Sequence, residues 1–500
     1  MWKSSDIDPK IFYPSVLLLI AVSIPLLIWP EQSFVYLDAL KVWIENYFGL
    51  VYIWLALGVL TFVGYLSFGA KGTLKLGNIK PRYSNYSWAS MLFCAGVATG
   101  ILYWGIIEWA YYYNLPPLGV EARSTEAIEW AATYGMFHWG ILGWAFYALP
   151  AVAIAYFFYV RKIPRLRMST ACVEVLGERR EGWLGKSMDV FFMIGLLGAS
   201  GTSLGLGTPM VASGLAEILG MEESFFFQLI VICFCTLIFA TSVSLGLDKG
   251  IKRLSNFNTT FAFIFLGFIL LAGPTTFILK MTTNSVGLML QNFIRMSTWT
   301  EALADTRFVE DWSIFYWAWW TAVGPFMGIF IARISEGRSI RQIIGGTILF
   351  GSLGSILFFG VLGNYSLHQE LNGGVALTQY IADGQAPQGI IAIIQSLPFG
   401  EVVLILFCFM SVVFMATSFD STSFILASNS SPDLGENQEP AQWHRLFWAI
   451  ALVLLPIALM WVGGLDALKT IVLISALPLV AVYILMMISL LKALRKLKKD

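Results

Sequence analysis

Apolar runs near 20 residues, each long enough to cross a hydrocarbon core, recur along the whole chain. No other feature constrains the fold so tightly, because a lipid-spanning segment must satisfy its backbone internally and is therefore helical. Twelve runs are counted, at 11–30, 49–69, 87–113, 133–160, 187–218, 225–246, 257–281, 312–335, 340–364, 400–428, 443–463 and 469–491. Of the 500 residues, 57% are hydrophobic and 12% charged, too little polar surface for a soluble domain of this size. The first run, Ile11 to Trp29, is too long for a signal-peptide core and lacks a small-residue cleavage site, so it is expected to be a span.

Positive charge alternates with these runs. Lys71, Lys75, Lys80 and Arg82 follow the second, Arg161, Lys162, Arg165 and Arg167 the fourth, and Lys249, Lys252 and Arg253 the sixth. Arg333, Arg338 and Arg341 follow the eighth, and Lys492, Arg495, Lys496, Lys498 and Lys499 close the chain. Loops 114–132 and 365–399 are poor in both residues. The positive-inside rule then puts both termini in the cytoplasm of a multi-pass plasma (inner) membrane protein, and the even span count agrees. Lys plus Arg equal Asp plus Glu at 31 each, so there is no basic footprint for nucleic acid. Five cysteines and three scattered histidines form neither a disulfide framework nor a zinc pattern nor a convergent catalytic group, so neither an enzyme nor a cofactor is expected.

Two spans carry unusual glycine. Span 3 contains AGVATG, Ala95 to Gly100, and span 8 contains GPFMG, Gly324 to Gly328. Backbone groups freed by such residues are tolerated in lipid only where protein or a water cavity meets them. Paired interruptions point to a midplane transport site, although in either span alone close helix packing accounts for the glycines equally well. Five spans separate the two, which divides the chain into two repeats of opposite direction. The expected division is 1–86 (tail and two peripheral spans), 87–281 (first repeat), 282–311 (an interfacial amphipathic helix), 312–491 (second repeat) and 492–500 (a short basic tail).

Aromatic residues cluster beside these segments, in YWGIIEWAYYY (Tyr103 to Tyr113), FHWGILGWAFY (Phe137 to Tyr147) and WSIFYWAWW (Trp312 to Trp320). On a helical wheel Trp139, Trp144 and Tyr147 project within an arc of roughly 140°, and Trp312, Tyr316, Trp319 and Val323 share one face. Indole faces are the best partners for a quaternary ammonium, which has no donor hydrogens to offer a carboxylate. A desolvated contact of this kind contributes ~2 kcal/mol, so a few together offset the loss of the ligand's hydration.

HWG…W…Y, FYWAWW and IARISEGR (Ile331 to Arg338), with twelve spans, resemble the betaine/choline/carnitine transporter (BCCT) family over about residues 9 to 495. The resemblance implies an all-α integral membrane protein of twelve transmembrane helices with a five-plus-five inverted repeat (LeuT-like fold), usually a homotrimer. Its partner would be a small zwitterionic or cationic osmolyte or nutrient. It implies a substrate box of Trp139, Trp144, Tyr147, Trp319 and Trp320. Tyr111 matches an aromatic of the carnitine branch and Trp312 a second, outer substrate site. The sequence departs from the family at Val323, where a third aromatic is common in span 8. A sulfonium zwitterion fits the same chemistry as a trimethylammonium one.

Span 10 reads FMATSFDS, Phe414 to Ser421. Taken alone, Thr417 and Ser418 are explained by back-bonding to their own helix. The resemblance adds that Na⁺-coupled members share this Phe…Thr-Ser arrangement. It places the coupling ion, Na⁺, with Thr417, Ser418, Phe414 and the carbonyls near Cys94 and Val97. Asn258 stands where Na⁺-independent exchangers carry an arginine, which indicates symport, whereas Met327 matches a methionine of the exchangers. Glu108 and Asp420, ionisable residues inside spans, are functional candidates.

Overall fold

The computed structural model describes residues 6–95, 99–163, 165, 167–244, 248–303, 306–432 and 439–497, with side chains described outside 242–256. The described residues are helical, with one isolated bridge between Lys75 and Ser339. Peripheral helices α1 (Pro9–Ile28) and α2 (Pro30–Phe68) come first. They are followed by α3 (Asn85–Cys94), α4 (Thr99–Asn114), α5 (Thr125–His138), α6 (Ile141–Ala155), α7 (Trp183–Leu219), α8 (Phe225–Ser244), α9 (Asp248–Ala272) and α10 (Thr275–Thr298). A π-helical turn, Val309–Ile314, leads into α11 (Phe315–Ile334). The chain ends in α12 (Ile340–Phe358), α13 (Gly400–Asn429), α14 (Gln442–Val462) and α15 (Leu465–Lys496). Local chemistry sets several starts. Asp8 caps α1 ahead of Pro9, Ser124 caps α5, and Ser339 with Gln342 forms a capping box on α12.

Among the described residues nine helices are long and apolar enough to cross a membrane, or up to eleven when each sharply bent pair counts as one span. The pairs are α3–α4, bent by 59°, and the two helices meeting at Gly273–Pro274, bent by 111°. The Phe225–Thr241 part of α8 is a shorter apolar helix. The protein is therefore an integral membrane protein.

Three sequence expectations shift. In span 3, α3 and α4 lie at 59° to each other, and residues 96–98 of the AGVATG stretch lie outside the described residues. Span 8 is unbroken, since α11 runs through Gly324, Pro325 and Gly328 as one helix. Those glycines serve close packing instead. A Cβ on Gly328 would stand 2.7 Å from Pro150 Cβ, and one on Gly324 would collide with the Tyr483 hydroxyl. The second interruption lies in span 4, at Trp139–Gly140 between α5 and α6. Finally, α2 starts at Pro30 rather than near 49. Its polar part is tolerated because Lys41 and Glu45, one turn apart, find partners in Asp311 (2.9 Å) and Arg307 (2.6 Å).

The two ends of the bundle differ in chemistry. At one end Leu76 donates to the Arg338 carbonyl at 2.8 Å, Gly77 packs beside Tyr159, and Glu174 pairs with both Arg161 and Lys496. Asp8 pairs there with Arg167 and Lys186. Three of the basic loops and both ends of the described chain thus gather together. The opposite end carries Lys41, Glu45, Arg307, Asp311 and Asp466.

Candidate substrate-binding site

The break at Trp139–Gly140 organises the centre of the molecule. Carbonyls freed there must be satisfied inside the protein. The His138 carbonyl accepts from the Trp320 indole at 2.9 Å, and the Trp139 carbonyl from the Trp144 indole at 3.1 Å. Two tryptophans are oriented by the irregular backbone itself. Glycine seats admit their rings: a Cβ on Gly143 would stand 2.5 Å from the Trp320 ring, and one on Gly351 would stand 2.1 Å from that of Trp144.

The Trp139 indole is fixed from elsewhere, by the Glu108 carboxylate, to which it donates at 3.1 Å. Glu108 is fully buried. It also accepts from the Tyr112 hydroxyl at 2.6 Å and from the Tyr316 hydroxyl, so three elements converge on one carboxylate. His138 extends the network, with Nδ1 2.9 Å from the Tyr112 oxygen and Nε2 3.0 Å from Ser313 Oγ. With the phenolic hydrogen of Tyr112 given to Glu108, His138 Nδ1 is the donor in that contact. A buried carboxylate satisfied this fully is a rigid hub, and removing any arm would leave a costly unpaired group.

Against this frame lies a cavity of about 590 Å³. Its walls include Trp139, Tyr147, Trp319 and Trp320. Trp139 and Trp320 meet edge to face at 5.5 Å, and Trp320 and Tyr147 at 5.0 Å. Val323, Gly100, Thr417 and Ser418 also line it. The lining continues past Met327 and Asp420 to Arg333, Arg445 and Glu439, where the Glu439 side chain is 61% exposed and marks the mouth. Asp420 pairs with Arg445 at 3.5 Å.

The remaining expected site residues are placed differently. Trp144 stands behind the box, packed on Tyr147 at 5.2 Å, with its indole turned to the Trp139 carbonyl. Tyr111 and Trp312 lie outside the cavity, 5.1 Å from each other and beyond Tyr316. The Thr417 hydroxyl donates to the Phe414 carbonyl at 3.1 Å, which leaves its lone pairs to face a cation. Cys94 ends α3 beside the cavity residue Ala95, and Val97 lies outside the described residues. Asn258 is buried and donates to the Met410 carbonyl at 3.0 Å. Sequence reasoning missed the hub partners Tyr112, Tyr316 and Ser313. Only the i, i+4 spacing of Glu108 and Tyr112 signalled one of them.

A family model described as betaine/carnitine/choline family transporter matches residues 10–499. The chain belongs to that family. This BCCT protein is therefore a transporter and not an enzyme. It is 35% identical over 429 residues to the "Uncharacterized transporter YeaV" of Escherichia coli K12, covering 86% of this chain and 89% of the relative. It is 32% identical over 478 residues to a carnitine transporter of Acinetobacter baumannii, covering 95% and 87%. A glycine betaine transporter of Acinetobacter baylyi is also 32% identical, over 494 residues, covering 98% and 74%. The aromatic-walled cavity is the part of this BCCT chain whose chemistry suits a quaternary ammonium.

Proposed function

We propose that the protein imports a betaine-type zwitterion by Na⁺ symport with alternating access. The substrate would be a trimethylammonium compound such as glycine betaine or carnitine, or a sulfonium analogue such as dimethylsulfoniopropionate. One observation carries the reading: Trp139, Tyr147, Trp319 and Trp320 present aromatic surface to one cavity that also reaches Thr417 and Ser418. The rings attract and solvate the cationic head. The N-terminal turn of α4, exposed to the cavity at Thr99 and Gly100, offers amides and a positive dipole end to the carboxylate. Relatives named for carnitine and glycine betaine support this substrate class. Val323 leaves one wall small and without π attraction, which favours a head that is shifted or of different size.

Na⁺ would be held by Thr417 and Ser418, with the Phe414 carbonyl and carbonyls near Cys94 and Val97. The bent third span then contributes to both sites and couples them. We place the chain as twelve spans with a five-plus-five inverted repeat, in the inner membrane, as a homotrimer. Gathering of the basic loops and both ends of the described chain at one end supports cytoplasmic termini. The mouth at Arg333 and Arg445 then faces the cytoplasm, and this conformation is the inward-facing one.

Na⁺-independent exchange of carnitine for butyrobetaine is the second reading. It is favoured by Met327, which lines the cavity. Radiolabelled uptake into proteoliposomes separates the two, with K⁺ replacing Na⁺ and with or without preloaded substrate. Symport requires uptake that depends on external Na⁺ in empty vesicles. Uptake that ignores Na⁺ but needs internal substrate leaves exchange.

A further inference from the structure

The outer aromatic cluster already holds a cation. Lys469 Nζ lies 3.7 Å from the centroid of the Trp312 ring and 5.6 Å from that of Phe315. The residue is 3% exposed. Among the described residues it makes no ion pair or hydrogen bond. Its surroundings do contain carboxylates. Asp466 lies one turn earlier on the same helix, but Asp466 and Asp311 are both held by Lys41, at 3.3 and 2.9 Å. Tyr111, Tyr112 and Trp104 pack around Trp312 with ring centroids 4.9 to 5.7 Å away. The Lys469 ammonium takes the ring face as its partner.

That face opens a path. Trp312 stacks on Tyr316 at 6.5 Å, Tyr316 meets Trp139 at 5.9 Å, and Trp139 walls the cavity. Aromatic surface is thus continuous from Lys469 to the candidate substrate site. An indole quadrupole attracts a primary ammonium and a quaternary one by the same physics.

We propose that Lys469 is a tethered competitor for the substrate's ammonium group at Trp312. It occupies the outer aromatic face in the conformation whose cavity opens at the Arg333 end, and an arriving substrate must displace it. The inference rests on the cavity being an ammonium site, but it assigns a role to a residue outside that cavity. Two effects have the same sign. An occupied face lowers the apparent affinity of an external cation, and the Lys469–Trp312 contact stabilises the closed outer side. Cations that bind an indole more weakly than Lys469 does would be excluded, so the contact also selects substrate.

The test uses the purified full-length protein and tetramethylammonium as probe, followed by tryptophan fluorescence. The wild type should show one saturable component, removed by Trp319→Leu. Lys469→Met should add a second saturable component, absent from the wild type and lost when Trp312→Leu is combined with it. Lys469→Arg should behave as the wild type does. A monodisperse Lys469→Met protein that keeps the Trp319-dependent component and gains no other would overturn the proposal. Absence of a Trp319-dependent component in the wild type would instead overturn the ammonium-cavity reading. A measurement on the unmutated protein guards against misfolding of the variant. Tetramethylammonium should raise labelling of Lys469 by an amine reagent, read by mass spectrometry, and unchanged labelling would reject displacement.

Discussion

Two aromatic clusters stand on either side of Tyr316, built from the same residue types and holding different things. On one side Trp139, Tyr147, Trp319 and Trp320 border about 590 Å³ of open space. On the other, Trp104, Tyr111 and Trp312 close on one another, and the Lys469 ammonium sits over the Trp312 ring. Composition does not distinguish them; hydrogen bonding and backbone do. In the open cluster the indole N–H groups of Trp139 and Trp320 are held by Glu108 and by the carbonyl at the α5 break, so the two rings are fixed edge to face at 5.5 Å on the wall of the cavity. In the closed cluster a long, flexible lysine brings the cation to the Trp312 face. A binding site therefore needs its aromatics anchored beside open space as much as it needs the aromatics.

The comparison breaks most directly at the rings themselves. Trp319→Ala and Trp139→Ala should each abolish high-affinity substrate binding, a loss above about 30-fold from one desolvated cation–π contact alone. Trp312→Phe should leave equilibrium binding in the inward-facing protein within about twofold, because that ring faces Lys469 and not the cavity. Isothermal titration of all three, with size-exclusion profiles to show assembly, decides it. Equal losses at Trp312 and Trp319 would erase the distinction drawn here.

Glu108 touches both clusters and sharpens the contrast. Glu108→Leu strands the Tyr112 and Tyr316 hydroxyls and frees the Trp139 indole, so it should lower both melting temperature and affinity, the latter by about tenfold. Glu108→Gln keeps an acceptor oxygen and should recover part of each. Affinity unchanged in Glu108→Leu would mean that Trp139 needs no anchor.

How much of this was readable in advance depended on range along the chain. The bend of span 3 was legible because Ala95 to Gly100 is a contiguous glycine-bearing string. Trp139, Trp319 and Trp320 were legible as candidates because HWG and FYWAWW are local motifs. The continuity of α11 was not, since whether Gly324 and Gly328 break a helix or seat a neighbour depends on Pro150 and Tyr483, distant in sequence. The orientation of Trp144 was not legible either, since its indole bonds Ser355 and its ring is seated against Gly351, both distant in sequence. Lys469 opened the last predicted span, and nothing local says that its ammonium meets an indole more than a hundred residues earlier.

Coupling should be affected less than binding. Thr417→Ala with Ser418→Ala should raise the Na⁺ concentration for half-maximal uptake by about tenfold and weaken substrate binding chiefly at low Na⁺, as reciprocal linkage requires. Asn258→Arg should shift the protein towards Na⁺-independent binding by supplying a fixed charge. Substrate titrations at several Na⁺ concentrations measure both. Parallel curves for the double variant and the wild type would remove the hydroxyl pair from the ion site.

The smallest expected effect concerns the far end of the substrate. The glycine-bearing stretch of span 3 ends at Gly100. Gly100 lines the cavity in the first turn of α4, and a Cβ built there stands 4.0 Å from the Trp139 ring, ordinary van der Waals contact. Gly100→Asp is therefore accommodated, and its carboxylate falls at a helix N-terminus, where negative charge is stabilised. In the wild type that turn offers amides and a positive dipole end, which attract a betaine's carboxylate and do nothing for choline's hydroxyl. The substitution reverses the sign of the field at this end of the cavity while leaving the aromatic walls unchanged. Betaine affinity should fall and choline affinity rise, each by about threefold to tenfold, as expected of a partly solvated charge pair. Competition of unlabelled choline against labelled glycine betaine, in wild type and Gly100→Asp, reads both shifts at once. Choline competing as well as betaine in the wild type would show that this turn does not select for a carboxylate.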